Sequence, residues 1–218
     1  MAEQRGGSGD QGLRRSSRDL RRHEERAFGY AVSVPSEFVV LMNTVDPLSR
    51  LLRGVHDKLP DEETALTGSW PVGFADPQVV GDIGGGHTEP LRLLEFDVLE
   101  RSDALSAGDI AELQQSVVGA LPREIDSLGL PGFRFLGARE LKLGPIDALG
   151  FEYEWDGPNA VADEPDRGLV VWAPTPTTVY QVYYHCPASA WETWWPELLG
   201  ILGSFELTER RLAASPEG

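Results

Sequence analysis

Apolar and polar residues alternate along much of the second half of the chain. Residues 149–156 show this most clearly, because Phe151, Tyr153 and Trp155 alternate with acidic residues. A period of two is typical of a β-strand with one buried face. The same pattern, with Pro35 and Pro187 as breaks, predicts strands at residues 28–34, 38–41, 91–101, 133–143, 149–156, 169–173, 178–186 and 204–207.

Three other segments repeat apolar residues every three or four positions, which is typical of a helix with one buried face. Strands follow one another rather than alternating with helices, and this order favours an α+β fold with an antiparallel β-sheet. Residues 61–90 have neither period and contain Gly84-Gly85-Gly86, so we expect a long loop there with one short strand at 78–83. The helical segments are 46–59, 106–128 and 188–202.

Prolines and capping residues indicate where these helices begin and bend. Ser106 and Asp109 have the spacing of a capping box, which predicts a helix start. Pro122 predicts a kink or break near Ala120, because proline cannot donate the hydrogen bond of a helix interior. For the same reason we expect Pro196 at a first-turn position or at a kink.

Length and charge limit the class of protein. A chain of 218 residues suits one domain, and its net charge of −16 disfavours binding to nucleic acid or anionic lipid. No apolar run is long enough for a membrane span. Residues 1–26 contain seven arginines against five acids, so we expect a disordered Arg-rich N-terminal tail there; the alternative is a basic arm that docks on an acidic surface. A single domain is expected at 27–208 and a disordered C-terminal tail at 209–218.

Two features favour a cytoplasmic location. Cys186 is the only cysteine, so an intramolecular disulfide is impossible. The first thirty residues contain no apolar segment of the kind found in a secretory signal. If Cys186 shares a strand face with Val182 and Tyr184, it is a small buried hydrophobic residue rather than a reactive thiol.

The sequence contains no catalytic or metal-binding motif that we recognise. No two histidines stand at i,i+4 and no Cys-x-x-Cys occurs, so a zinc motif is missing. No Gly-x-Ser-x-Gly occurs, and the strand neighbours His185 and Cys186 should point to opposite faces. The acids Glu152, Glu154 and Asp156 are interpreted as a solvated strand face. We therefore predict no catalytic residues, no metal and no cofactor, and expect a protein that is not an enzyme.

Clustered aromatic residues are the most unusual feature of the sequence. Trp191, Trp194 and Trp195 fall within five residues, close to Tyr180 and Tyr183. One interpretation is core packing against the sheet; the other is a groove or patch for a partner or apolar ligand. A helix cannot place all three tryptophans on one stripe, so at least one points away. We take these five residues as the candidate binding residues.

Four strings in a fixed order resemble a known superfamily. They are Phe28–Pro35 followed by Ser-Glu-Phe38, Leu143–Tyr153, Val179–Tyr184 and Leu198–Phe205. Together they are similar to the PsbP-like superfamily, which includes the extrinsic PsbP subunit of photosystem II and a Ran-binding nuclear-import factor. The resemblance spans about residues 27–208, and residues 42–90 depart from it. It implies an antiparallel sheet flanked by helices as an α/β/α sandwich, no shared catalytic residues, and members that act mostly by binding proteins or as accessory and assembly factors.

We therefore expect a non-catalytic protein-binding or accessory protein. Its partner is a protein, and the acidic body favours a basic one; no nucleic acid is expected, and the oligomeric state is left open. The alternative is a small-molecule-binding protein or enzyme with a pocket between sheet and helices. An immunity or chaperone-like partner of a cognate protein is a third possibility that the sequence does not separate from the first.

Overall fold

A computed structural model describes residues 19–42, 67–68, 72–75, 92–101, 103–127, 131–156 and 164–209. The predicted helix at 46–59 and the predicted strand at 78–83 lie outside these described residues. Both chain ends, residues 1–18 and 210–218, also lie outside them.

The described elements form an α+β fold in which every described strand pair is antiparallel, as predicted. An eight-stranded sheet has the order β3-β5-β6-β10-β9-β8-β7, with β4 also paired to β6, and a second sheet has the order β1-β2-β11. A 3₁₀ turn at Ala188–Ala190 leads into helix α2. The elements are β1 Leu20–Glu25, β2 Tyr30–Pro35, β3 Val39–Met42, β4 Thr67–Gly68, β5 Val72–Ala75, β6 Leu93–Glu100, α1 Ala107–Ser127, β7 Arg134–Leu143, β8 Ile146–Trp155, β9 Asp166–Pro174, β10 Thr178–Pro187, α2 Trp191–Gly203 and β11 Glu206–Leu207.

Strand β10 lies in the middle of the large sheet and is buried on both faces. One face, here the α2 face, carries Tyr180, Val182, Tyr184 and Cys186 and packs against β2 and α2. The opposite face, here the α1 face, carries Val179 and Tyr183 together with aromatic residues of β8 and β9. Because successive strand residues point to opposite faces, apolar residues at both parities require a cover on each side of the sheet.

Strand β1 was not predicted, because residues 20–25 were placed in the tail. These residues are charged and mostly exposed, yet they pair with β2 along its whole length, from Leu20–Pro35 to Glu25–Tyr30. Backbone hydrogen bonds, rather than burial of an apolar face, hold this edge strand. Arg22 adds ion pairs to Glu24 and Glu206, which joins β1 to β11 across β2.

The two helices confirm one prediction and correct two others. The backbone N–H of Ser106 donates to Asp109 Oδ2 at 2.8 Å, and the N–H of Asp109 donates to Ser106 Oγ at 3.2 Å, as a capping box requires. Helix α1 continues to Ser127, so the break expected near Ala120 does not occur. Pro196 lies inside α2, beyond its first turn, so the first-turn position is wrong. Packing against the sheet sustains α2 in spite of the backbone hydrogen bond that this proline cannot donate.

His23 ties the small sheet to the large one. Its ring meets Phe74 of β5 edge to face, with centroids 5.1 Å apart, and its Nε2 is buried without a hydrogen-bond partner. Burial lowers the pKa of His23 below its ordinary value of 6.5; Glu25 acts in the opposite direction and Arg21 in the same direction, both more weakly.

This lowered pKa predicts a loss of stability in mild acid. Below pH 6.5 the unfolded chain takes up a proton at His23 more readily than the folded chain, so the free energy of unfolding should fall as the pH drops from 6.5 through the folded-state pKa. Urea unfolding between pH 5 and pH 8 measures this dependence. A His23→Gln variant should show a shallower decline over the same range, and an unchanged pH dependence in that variant would contradict the assignment.

Candidate functional site

Arginines of β7 and β9, and one that directly precedes β6, lie beneath the tryptophans of α2. Each guanidinium carbon lies over one indole ring, at 4.7 Å for two of the pairs and 4.8 Å for the third. Such contacts are cation–π interactions. We call this set the arginine–tryptophan cluster; its pairs are Arg92–Trp194, Arg139–Trp195 and Arg167–Trp191.

Helical spacing and strand register together build the cluster. Trp191 and Trp195 are four residues apart on one helix face, and their rings stack with centroids 5.3 Å apart. Trp191 also contacts Tyr184 of β10, with ring centroids 6.0 Å apart. Trp191 is buried, whereas Trp194 and Trp195 are partly exposed. The sheet thus holds the start of α2 through Trp191 and leaves the other two indoles at the surface.

Buried carboxylates neutralise the arginines. Glu152 of β8 is 3% exposed; it accepts a hydrogen bond from Arg167 Nη2 at 2.8 Å and forms an ion pair with Arg139. Arg92, also 3% exposed, donates to Glu197 Oε1 at 2.5 Å and lies between the rings of Phe38 and Trp194. Charges that are paired in this way remain tolerable away from water.

The interpretation of Glu152 as part of a solvated face is therefore wrong. Strand β8 lies between β7 and β9, and arginines from both neighbours cover the side of the strand on which its acids lie. Glu154, mostly buried, pairs with Arg134, and only Asp156 of the three acids is exposed as expected.

The two predicted tyrosines do not join the tryptophans. Tyr180 lies on the α2 face but packs against Tyr30 and Phe205, at ring-centroid distances of 6.3 and 5.2 Å. Tyr183 lies on the α1 face, where its hydroxyl donates to Gln181 Oε1 at 2.6 Å. Tyr184 is the tyrosine that contacts Trp191. The sequence signal that could have identified it is its strand parity, which it shares with Val182 and Cys186. The three arginines gave no comparable signal, because only the three-dimensional register brings them together.

A row of buried polar side chains crosses the α1 face. Glu95 and Asp97 of β6 stand opposite Tyr183 and Gln181 of β10. His185 follows on the same face, and all five of these side chains are buried. Asp97 Oδ1 accepts a hydrogen bond from the N–H of Val98 at 2.9 Å. We call this set the polar row: Glu95, Asp97, Gln181, Tyr183 and His185.

Two aromatic residues flank the polar row. Trp172 of β9 stands opposite Gln181, is 2% exposed, and its Nε1 has no hydrogen-bond partner. Tyr153 reaches over Gly168, where an added Cβ would lie 2.2 Å from the ring. Gly168 stands opposite His185, so the absence of a side chain lets the phenol of Tyr153 extend towards the row. Tyr183 was predicted as a binding residue beside the tryptophans, but the polar row as a set was not predicted from the sequence.

Cys186 is a buried hydrophobic residue, as predicted. It lies on the α2 face with no exposed area, and burial raises the pKa of its thiol to about 12. A thiol with such a pKa stays protonated near neutral pH, which disfavours a nucleophilic role. Among the residues that the structure describes, no group of three His, Cys, Asp or Glu side chains is arranged to hold a metal ion.

An open groove of about 570 Å³ lies beside the β7–β8 hairpin. Its walls combine one residue of α1, Gln114, with residues 140–142 of β7 and 147–149 of β8. At its mouth Lys142 Nζ donates to Asp147 Oδ1 at 2.6 Å. We call this feature the hairpin groove.

Comparison with solved structures finds several partly similar proteins. A crystal structure from Bacteroides thetaiotaomicron matches 86% of this chain at 11% identity and a TM-score of 0.46; this chain spans about half, 48%, of that protein. Cyanobacterial PsbP from Synechocystis matches 93% of this chain and 98% of its own, at 14% identity and a TM-score of 0.47. LpqN of Mycobacterium tuberculosis, described as involved in cell envelope biogenesis, matches 82% of this chain and 83% of its own, at 12% identity and a TM-score of 0.43.

Similarity of this size carries no information on family, activity, partners or ligands. No protein-family model matches the chain, and no match is found among curated proteins. In the described part of the chain, neither helix is long and apolar enough to cross a membrane.

The arrangement of the cluster predicts unequal roles for its tryptophans. Trp191→Ala should lower the free energy of unfolding by about 3–5 kcal/mol, because it empties a buried site between Tyr184 and Trp195. Trp195→Ala should cost about 1–2 kcal/mol, because its ring is partly exposed and loses mainly the contacts with Trp191 and Arg139. Urea unfolding measures both losses, and a Trp195→Ala loss as large as that of Trp191→Ala would contradict this division.

Proposed function

We propose that this chain is a non-catalytic binding or accessory protein that recognises a partner protein through Trp194, Trp195 and Arg139. The supporting observation is that all three side chains are partly exposed, although a cation–π contact holds each of them in place. Tryptophan and arginine are enriched among the residues that dominate protein–protein binding energy. A surface made of stacked rings also loses little conformational entropy when a partner binds.

Charge at this surface differs from charge on the chain as a whole. The net charge of −16 attracts basic partners at long range. At the surface itself the side chain of Arg139 is 45% exposed, whereas its partner Glu152 is buried. We therefore propose that the partner places a carboxylate against Arg139, within a surface that is basic elsewhere.

The experiment that tests this proposal is a pull-down, which compares the proteins captured by three forms of the full chain. Wild type and Leu199→Ala should enrich the same partner, because Leu199 is an exposed apolar residue of the same helix outside the cluster. The double variant Trp194→Ala/Trp195→Ala should lose that partner, as read by quantitative mass spectrometry and then by binding of the purified partner. Circular dichroism establishes that each variant is folded, and equal capture by all three folded forms would overturn the proposal.

The polar row favours a second candidate function, binding of a small polar molecule between sheet and helices. Its specific support is the indole N–H of Trp172, which is buried without an acceptor beside Gln181. A buried donor without a partner costs about 1–3 kcal/mol, so an acceptor supplied by a ligand would remove that cost. Carboxylates and an imidazole in the same row are suited to hydrogen bonding a molecule rich in hydroxyl or amino groups.

Native mass spectrometry of the gently purified full chain tests the second candidate. We expect a retained non-protein mass in wild type that decreases in Trp172→Phe, a variant that removes the N–H and keeps an aromatic ring. A mass equal to that of the polypeptide in both proteins would contradict a bound molecule. An equal adduct in both proteins would contradict the role of Trp172.

A further inference from the structure

Among the described strands, β7 lies at one end of the large sheet. It pairs with β8 on one side, and its outer backbone groups make no hydrogen bond to any described strand. An edge strand of this kind is able to pair with another chain through its free N–H and C=O groups. The first part of β7 is less suited to such pairing, because the register of its pairing with β8 shifts between Phe135 and Gly137. The part from Ala138 to Leu143 pairs with β8 in an unbroken register.

Hairpin geometry determines which residues of β7 face the open edge. Leu143 and Ile146 flank a two-residue turn that begins at Gly144, whose φ of 54° suits the first position of such a turn. The pair that closes a two-residue hairpin is hydrogen-bonded, and hydrogen-bonded pairs then alternate along the strands. Odd-numbered residues of β7 near the turn therefore direct their backbone groups to β8. The even-numbered residues Glu140 and Lys142 direct theirs outward.

When two identical copies of β7 pair side by side, one register places opposite charges across from each other. Glu140 and Lys142 lie on the same face of β7, are both exposed, and carry opposite charges. In an antiparallel pair of identical strands centred on Leu141, each Glu140 stands opposite Lys142 of the second copy, and the outward backbone groups of both residues meet. Centring the pair on Glu140 or on Arg139 instead places like charges opposite each other, which is destabilising.

We propose that a second copy of this chain pairs with β7 through residues 139–143, in the two-fold register centred on Leu141. This inference rests on the backbone edge and on Glu140 and Lys142, and not on the observations that support the function proposed for Trp194, Trp195 and Arg139, although Arg139 lies in both surfaces. Two-fold symmetry makes every contact occur twice, so the pairing forms about four backbone hydrogen bonds and two Glu140–Lys142 ion pairs. Lys142 has three donor N–H groups, so its bond to Asp147 leaves donors for Glu140 of the second copy.

The hairpin groove supports the same assignment. The β7 residues that line it, 140–142, are those that the proposed register brings to the two-fold axis. A second copy on this edge would therefore lie next to the groove and cover part of it. The contact is small, and two chains of net charge −16 repel each other, so we expect a weak dimer with a Kd on the order of 100 µM at physiological salt.

Sedimentation velocity of the full chain between about 5 and 500 µM tests the proposal at physiological ionic strength. Wild type should shift from monomer to dimer across this range. Glu140→Lys should weaken association by at least about tenfold, because it places lysines opposite each other twice. The double variant Glu140→Lys/Lys142→Glu should restore it, because opposite charges again face each other across the axis.

Glu192→Lys is the matched control, because it makes the same change of charge as Glu140→Lys. Glu192 lies at the start of α2, whereas the β7–β8 turn lies beside the end of that helix. The N–H of Gly144 donates to the carbonyl of Leu202, which places that turn beside the end of the helix. The control should associate at least as well as wild type. A wild-type chain that stays monomeric at 500 µM, or a Glu140→Lys/Lys142→Glu variant that associates no better than Glu140→Lys, would overturn the proposal.

Discussion

The stacking of tryptophan on arginine attaches the first half of α2 to the sheet, and the exposed surface of Trp194, Trp195 and Arg139 depends on that attachment. The second half of the helix buries Leu198, Ile201 and Leu202 in an ordinary apolar core. In the first half only Trp191 is buried in that core, and Pro196 removes one of the backbone hydrogen bonds there. Trp191, packed between Tyr184, Trp195 and Arg167, is therefore the main contact of this half with the sheet.

Features that depend on local pattern could be predicted from the sequence. The alternation of Phe151, Tyr153 and Trp155 identified β8, the Ser106–Asp109 spacing identified the start of α1, and the parity of Cys186 predicted its burial. Each of these features is determined by residues close in sequence, so the residue pattern of a strand or of a helix end is enough to predict it.

Features that depend on partners distant in sequence could not be predicted in the same way. Strand β1 is charged along its length, so only its pairing with β2 reveals it as a strand. Arg92, Arg139 and Arg167 come from three separate segments, and no local pattern connects them with α2. Tyr180 and Tyr183 were grouped with the tryptophans because they are near in sequence, although their different strand parities send them to opposite faces of the sheet.

The two faces of the sheet accommodate buried charge in different ways, and this difference separates the two candidate functions. On the α2 face, Glu152 is neutralised by arginines of β7 and β9 near the end of the sheet, so the charges support a stacked surface whose outer part reaches solvent. On the α1 face, Glu95 and Asp97 lie within the central strands, next to a buried indole N–H that has no acceptor. The first arrangement suits recognition of another macromolecule at an exposed surface, because its rings and guanidinium groups are already fixed in place. The second suits enclosure of a small molecule, because the indole N–H of Trp172 is a buried donor, and a small bound acceptor would remove the cost of its missing hydrogen bond.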